Sequence, residues 1–226
     1  MRTLLIWMGE VGTALAEVLK QYDPICYDIK KSVNVYESPD IMHICFPYSE
    51  SFVERVLEYQ KVYRPKYTVI HSTVPVGISS KCEATHSPIR GIHPFLTEGI
   101  KTFVKFLGGP QASEVADYFR RAGLRVYVCD SAETTEALKI FDTTYYALCI
   151  EFHKHIKQFS NEIGFPFEAW TLYNEDYNTG YKQLGYPEYV RPNLVPIMKN
   201  QGGHCTLNNC EFMDTPFTKL IKELNE

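Results

Sequence analysis

Apolar residues run almost unbroken from position 3 to position 8 (TLLIWM). They meet two glycines, Gly9 and Gly12, and then recur at helical spacing as Val11, Leu15, Val18 and Leu19. A short apolar run ended by glycine predicts a buried strand, and the three-and-four spacing predicts a helix over 13–22. A second short strand is predicted over 24–28 (PICYD), ending in Asp28, 19 positions after Gly9. Further strands are predicted over 41–46, 68–72, 91–93 and 125–128, with helices over 51–59 and 112–122 between them. Strands alternating with helices predict a mostly parallel sheet covered on both faces, an α/β doubly wound fold of the Rossmann type over 1–130.

The pattern changes after Asp130. Ser131 with Thr134 and Thr135 offers a helix start, and no proline or glycine intervenes before Gly164. One long helix is therefore predicted over 131–163. From Gly164 onward, aromatics, Pro, Gly and Asn crowd together (NEDYNTGYKQLGYPEYVRPN), which predicts ordered loops or short helices of a kind that often shape a pocket. Residues 131–226 are read as a smaller all-helical domain for substrate binding and dimerisation. The long helix has little else to cover its second face, so a homodimer is expected.

Composition narrows the classes. Hydrophobic residues are 45% and charged residues 22% of the 226, close to an ordinary soluble globular protein. No apolar run reaches the ~18 residues that cross a bilayer, and the N-terminal run leads into a glycine turn instead of a cleavage site, so a first strand is expected and not a signal peptide. A net charge of −4 with interspersed signs argues against nucleic acid as partner. Seven cysteines at irregular spacings, with no CxxC pair, are expected to be reduced thiols of a cytoplasmic protein. His86 and His93 do not stand at metal-ligand spacing, and no metal is expected.

The segment WMGEVG, followed by an acid at the end of the second strand, suits a dinucleotide site. Glycines let a pyrophosphate approach the helix N-terminus, and the acid accepts hydrogen bonds from a ribose diol. Trp7 stands where the usual G-x-G-x-x-G has its first glycine. Asp28 favours NAD, while Lys30 and Lys31 just beyond would receive the 2′-phosphate of NADP.

Downstream, VIHSTVPVG (69–77), HPFLTEG (93–99), EALKIFDTTYYAL (136–148) and QGGHC (201–205) follow one another in the order of the UDP-glucose/GDP-mannose dehydrogenase motifs. The chain resembles that family, within the 6-phosphogluconate-dehydrogenase-like superfamily, and is expected to lack its C-terminal nucleotide-sugar-binding domain. The resemblance places Thr73 near the reacting centre, Glu98 on the second acid of the PEFLxEG segment with Pro94 at the first, Lys139 on the central-helix lysine and Cys205 on the catalytic thiol. Thr143 replaces that family's asparagine and Asn209 its aspartate. RGIHP also resembles the G-x-HP turn of prephenate-dehydrogenase-like proteins, which makes His93 a second candidate proton acceptor. The candidate cofactor contacts are Gly9, Glu10, Val11, Gly12, Asp28, Pro47 and Thr73, and the candidate catalytic residues are Lys139, Glu98, Cys205, Thr143 and His93.

Each candidate has a plainer alternative. Lys139 and Thr143, four apart, share a helix face and together hold a substrate oxygen, or they are a solvated lysine beside a threonine. Cys205 is an aldehyde-attacking thiolate or a structural thiol; Glu98 is a general base or a surface acid. The expected activity is NAD(P)-dependent oxidation of a hydroxyl on a small or sugar-type substrate. Loss of the last domain, the asparagine and the aspartate favours one two-electron step. The competing expectation is a non-catalytic or non-redox Rossmann-like protein that keeps the scaffold.

Overall fold

A computed structural model describes residues 1–28, 38–196 and 207–225. In chain order these hold β1 (Thr3–Ile6), α1 (Glu10–Val18), β2 (Ile25–Tyr27), β3 (Ile41–Ile44), α2 (Phe52–Tyr63), β4 (Tyr67–Ile70), α3 (Ile78–Lys81) and β5 (Thr85–His86). Then come α4 (Leu96–Thr102), β6 (Lys105–Leu107), α5 (Ala112–Arg121), β7 (Val126–Val128), α6 (Ala132–Ile163), α7 (Phe167–Gln183), α8 (Leu207–Cys210) and α9 (Pro216–Asn225). The chain divides into two compact units, Met1–Ile140 and Phe141–Glu226. The division falls inside α6, whose Thr135 and Glu136 bond to groups of the first unit.

Five parallel strands form one sheet in the order β2-β1-β3-β4-β5, with Leu4 opposite Ile25 on one side and Met42 on the other. β6 and β7 pair in parallel beside it. Successive residues of each strand point to opposite faces, and both faces are covered. Leu5 and Val69 join Leu15, Leu19 and Phe119 in one buried cluster. Leu4, Ile6, Met42 and Ile44 join Phe52 and Val56 in the other. This explains why the strands read as unbroken apolar runs and not as alternation. The strand order reverses between β1 and β3, and the region beyond the C-terminal ends of such strands is where open α/β sheets bind ligands.

Several expectations are corrected. Residues 91–93 are not a strand: Gly91 has φ +155°, and Ile92 and His93 are exposed. The fifth strand is Thr85–His86, whose polar side chains are buried. The sequence reading also missed β6, which opens with a buried lysine. Glu98 is not at the end of a loop but in the first turn of α4. The aromatic segment after Gly164 includes α7, a helix of 17 residues, instead of loops or short helices. In the second unit the regular structure of the described residues is helical, and among the described residues no helix is long and apolar enough to cross a membrane.

Candidate functional site

The turn between β1 and α1 is built from backbone contacts that leave no spare room. Trp7 N–H donates to Tyr27 O at 2.8 Å and Met8 N–H donates to Asp28 Oδ2 at 3.2 Å, which ties the turn to the end of β2. A Cβ on Gly12 would lie 2.1 Å from the carbonyl oxygen of Trp7, so only glycine lets α1 start this close to β1. Gly9 caps α1, whose first-turn amides have no partner within the helix and carry its positive end. Gly9, Glu10, Val11, Gly12 and Asp28 are thus brought together. Pro47 lies exposed beyond β3. Lys30, Lys31 and Cys205 lie outside the described residues.

Trp7 itself takes φ +79°, the left-handed region, which costs a bulky residue about 1–2 kcal/mol. Its indole leans over Gly9: the position of a Gly9 Cβ is 3.0 Å from Trp7 Nε1 and 3.2 Å from Cδ1. The Arg55 guanidinium stands 4.2 Å from the Phe46 ring centre and 5.9 Å from that of Trp7.

His93 reaches the same turn from the segment before α4, with Nδ1 3.1 Å from Glu10 Oε2. α4 packs beside α1, and Gly99 approaches Gly91 so closely that a Cβ would sit 2.6 Å from the Gly91 Cα. Glu98 faces outward from α4 and is exposed.

The start of α6 is clamped to the segment after β4. Glu136, fully buried, accepts from Gly77 N–H at 2.6 Å and Ser79 N–H at 2.8 Å. Burial raises its pKa, against the lowering effect of those bonds. His86 is also buried; burial first, and the charges of Lys105 and Lys139 after it, hold its pKa at about 3, so the ring is neutral. The ring lies between Ser72 O, 3.2 Å from Nε2, and Thr135 Oγ1, 2.8 Å from Nδ1, and the Thr135 hydroxyl donates in turn to Ala132 O at 2.9 Å. Thr73 is half-buried immediately after Ser72, and Lys139 lies half-buried on α6 three residues beyond Glu136. The clamp therefore fixes the turn of α6 that carries Lys139 to the segment that carries Thr73. Sequence reading missed Glu136, Thr135 and His86. Their only early sign was polar residues on an otherwise apolar helix face and in a short strand.

Within the second unit, Thr143 and Asn209 meet: Asn209 Nδ2–H donates to Thr143 Oγ1 at 3.4 Å, and both residues are buried. Further along α6, a mostly apolar cavity of about 420 Å³ opens among Phe152, His153, Trp170, Asn174 and Arg191.

No protein-family model and no curated protein matches the sequence. Solved structures do match in fold. The UDP-D-ManNAc dehydrogenase of Pyrococcus horikoshii is 15% identical with a TM-score of 0.78, covering 100% of this chain and 68% of that one. A UDP-glucose dehydrogenase of Pyrobaculum islandicum is 14% identical with a TM-score of 0.73, covering 100% and 68%. The 3-hydroxyisobutyrate dehydrogenase of Mycobacterium tuberculosis is 12% identical with a TM-score of 0.68, covering 99% and 92%. The chain has the Rossmann-plus-long-helix fold of these dehydrogenases, and spans about two thirds of the length of the two sugar-nucleotide enzymes.

Proposed function

We propose that the chain is an NAD(P)-dependent oxidoreductase that removes a hydride from a hydroxyl-bearing carbon of a small or sugar-type substrate in one two-electron step. The observation that carries this reading is the turn itself, in which Gly12 admits no side chain and Asp28 is bonded to the Met8 amide at the strand-order reversal. Asp28, Gly12 and the first-turn amides of α1 fit a dinucleotide; the side chain of Trp7 over Gly9 does not. A nicotinamide cofactor, when bound, supplies the hydride acceptor. The acid at the end of β2 supports NAD over NADP.

In this reading Lys139 and Thr143, four residues apart on α6, orient the substrate oxygen. The contact of His93 with Glu10 supports His93 as the group that takes the hydroxyl proton, with Glu98 the alternative. Thr73 and Pro47 flank the cofactor, and Cys205 is kept as a candidate for chemistry beyond the first oxidation. The dehydrogenase likeness supports a sugar-type substrate. The six described cysteines are all free, which supports a reducing, cytoplasmic setting. Exposed Phe141, Tyr145, Tyr146 and Phe152 along α6 support a homodimer; light scattering is expected to give twice the chain mass, and a monomer at every concentration would contradict it.

Calorimetric titration with NAD and NADP in both redox states tests the cofactor. Binding is expected to favour NAD and to weaken on Asp28→Ala by about tenfold or more, since a charge-assisted hydrogen bond contributes ~1.5–3 kcal/mol. Absence of binding by any form would support the second reading, a scaffold without redox chemistry. The observations in its favour are Trp7 over Gly9 and the mutual bond of Thr143 and Asn209.

A further inference from the structure

A glycine at the second position of a dinucleotide turn exists so that the pyrophosphate can pass close over its backbone. In this chain that space has an occupant. The direction in which a Gly9 side chain would point leads within 3.0 Å to Trp7 Nε1 and 3.2 Å to Cδ1. The indole is half-buried and packs against the cluster of Ile6, Ile44 and Phe46 beneath it, with the Arg55 guanidinium near its outer face. Its backbone is held at φ +79° by the Trp7–Tyr27 hydrogen bond, so the side chain leaves the turn on a fixed course toward Gly9.

Resting on the dinucleotide reading above, we infer that Trp7 is an internal cover over the pyrophosphate path, and that a dinucleotide binds only when the indole swings off Gly9. The consequence is a residue that sets cofactor affinity without touching the reacting atoms. The open conformer is a minor one, and the apparent dissociation constant is the intrinsic one divided by the fraction of molecules that are open. Gly12 keeps the turn in place whether the cover is open or shut, because its contact is with the Trp7 carbonyl and not the indole.

Trp7→Gly removes the cover and places at φ +79° a residue that adopts this conformation freely, so the turn is retained. Calorimetric titration with NADH is expected to show binding at least about tenfold tighter in Trp7→Gly than in the natural chain. The chain has two tryptophans, so in a Trp170→Phe background Trp7 is the sole emitter. Its emission is expected to shift to the red as saturating NAD turns the indole out to water. Equal or weaker NADH binding by folded Trp7→Gly overturns the cover while leaving the cofactor reading intact. So does unchanged Trp7 emission at a NAD concentration that calorimetry shows to be saturating, a measurement that stands even if the glycine variant fails to fold. Absence of NADH binding by both the natural chain and Trp7→Gly overturns the cofactor reading and the cover with it.

Discussion

Gly12→Ala is expected to leave little folded protein. The added methyl carbon would sit 2.1 Å from the Trp7 carbonyl oxygen and 3.1 Å from its carbonyl carbon, both backbone atoms. Neither can retreat, because Trp7 N–H is bonded to Tyr27 O and Met8 N–H to Asp28. Relief would require α1 to lift from β1, which pulls Leu15 and Leu19 out of a cluster where both are fully buried. A loss of more than about 4 kcal/mol is expected, from overpacking and exposed core together. Gly77→Ala is the matched control: Gly77 has φ +92° but nothing within 4 Å of a new Cβ, so only the backbone cost of about 1–2 kcal/mol applies. Thermal unfolding followed by circular dichroism checks both. A Gly12→Ala melting temperature no lower than that of Gly77→Ala would contradict the close approach.

The second large effect concerns a buried ammonium. Lys105 opens β6 with 4% of its surface exposed, its Nζ donating to Ser87 O at 3.2 Å and facing the Phe119 ring at 5.1 Å. Among the described residues no carboxylate pairs with it. Around it stand Cys45 and two neutral histidines. His71 donates from Nδ1 to Ser87 O at 2.7 Å and accepts at Nε2 from His43 Nδ1–H at 2.9 Å. Burial lowers the lysine to about 7.

The sign follows from which state holds more protons. Between pH 7 and about 10.4 the unfolded chain carries the Lys105 proton and the native chain does not, so stability falls as pH drops through this window. The loss is on the order of 5 kcal/mol, at about 1.4 kcal/mol per pH unit, and is complete below pH 7. Burial also lowers His43 and His86 to about 3 and His71 well below its ordinary value, which removes further stability as pH falls below 6.5. Burial raises Tyr118 and Cys45, so their contribution is lost instead as pH rises above about 9–10, and maximum stability is expected near pH 9–10. Lys105→Met removes the first slope while Ser87 O keeps its bond from His71. Urea unfolding is expected to show the variant several kcal/mol more stable at pH 7 and near parity at pH 10. A stability difference independent of pH would show that Lys105 does not titrate in this window.

Much of the first unit was legible because its signals are local. The β1 run, the Gly9–Gly12 turn and Asp28 lie within 28 residues, and the strands at β3 and β4 are apolar on both faces. What escaped was held by distant partners. No strand is predicted at Thr85 and His86 because polar residues rarely fill a buried strand, yet Thr85 Oγ1 donates to Pro110 O and His86 bonds to Thr135, 49 residues away. Glu136 meets Gly77 across 59 positions, a relation that no helical spacing reveals. Conversely, Ile92 stands in a predicted strand where Gly91, Pro94 and exposure to solvent allow none. α7 was hidden by its asparagines and by Gly180, which sits in the helix with open space where a side chain would be. At the site, the spacing of Gly12 and Asp28 carried over directly into geometry. The tilt of the Trp7 indole onto Gly9 could not be read from its position alone, since it depends on a left-handed backbone at that residue.

The most direct test of the central claim is nicotinamide reduction by the purified chain, supplied with NAD and, in turn, UDP-N-acetylmannosamine, UDP-glucose and 3-hydroxyisobutyrate. The expected result is formation of one NADH per molecule of one of these alcohols, falling at least about a hundredfold in Lys139→Ala, the loss of an interaction made to the reacting oxygen. No NADH from any of them, with either the natural chain or Trp7→Gly, would contradict the dehydrogenase reading.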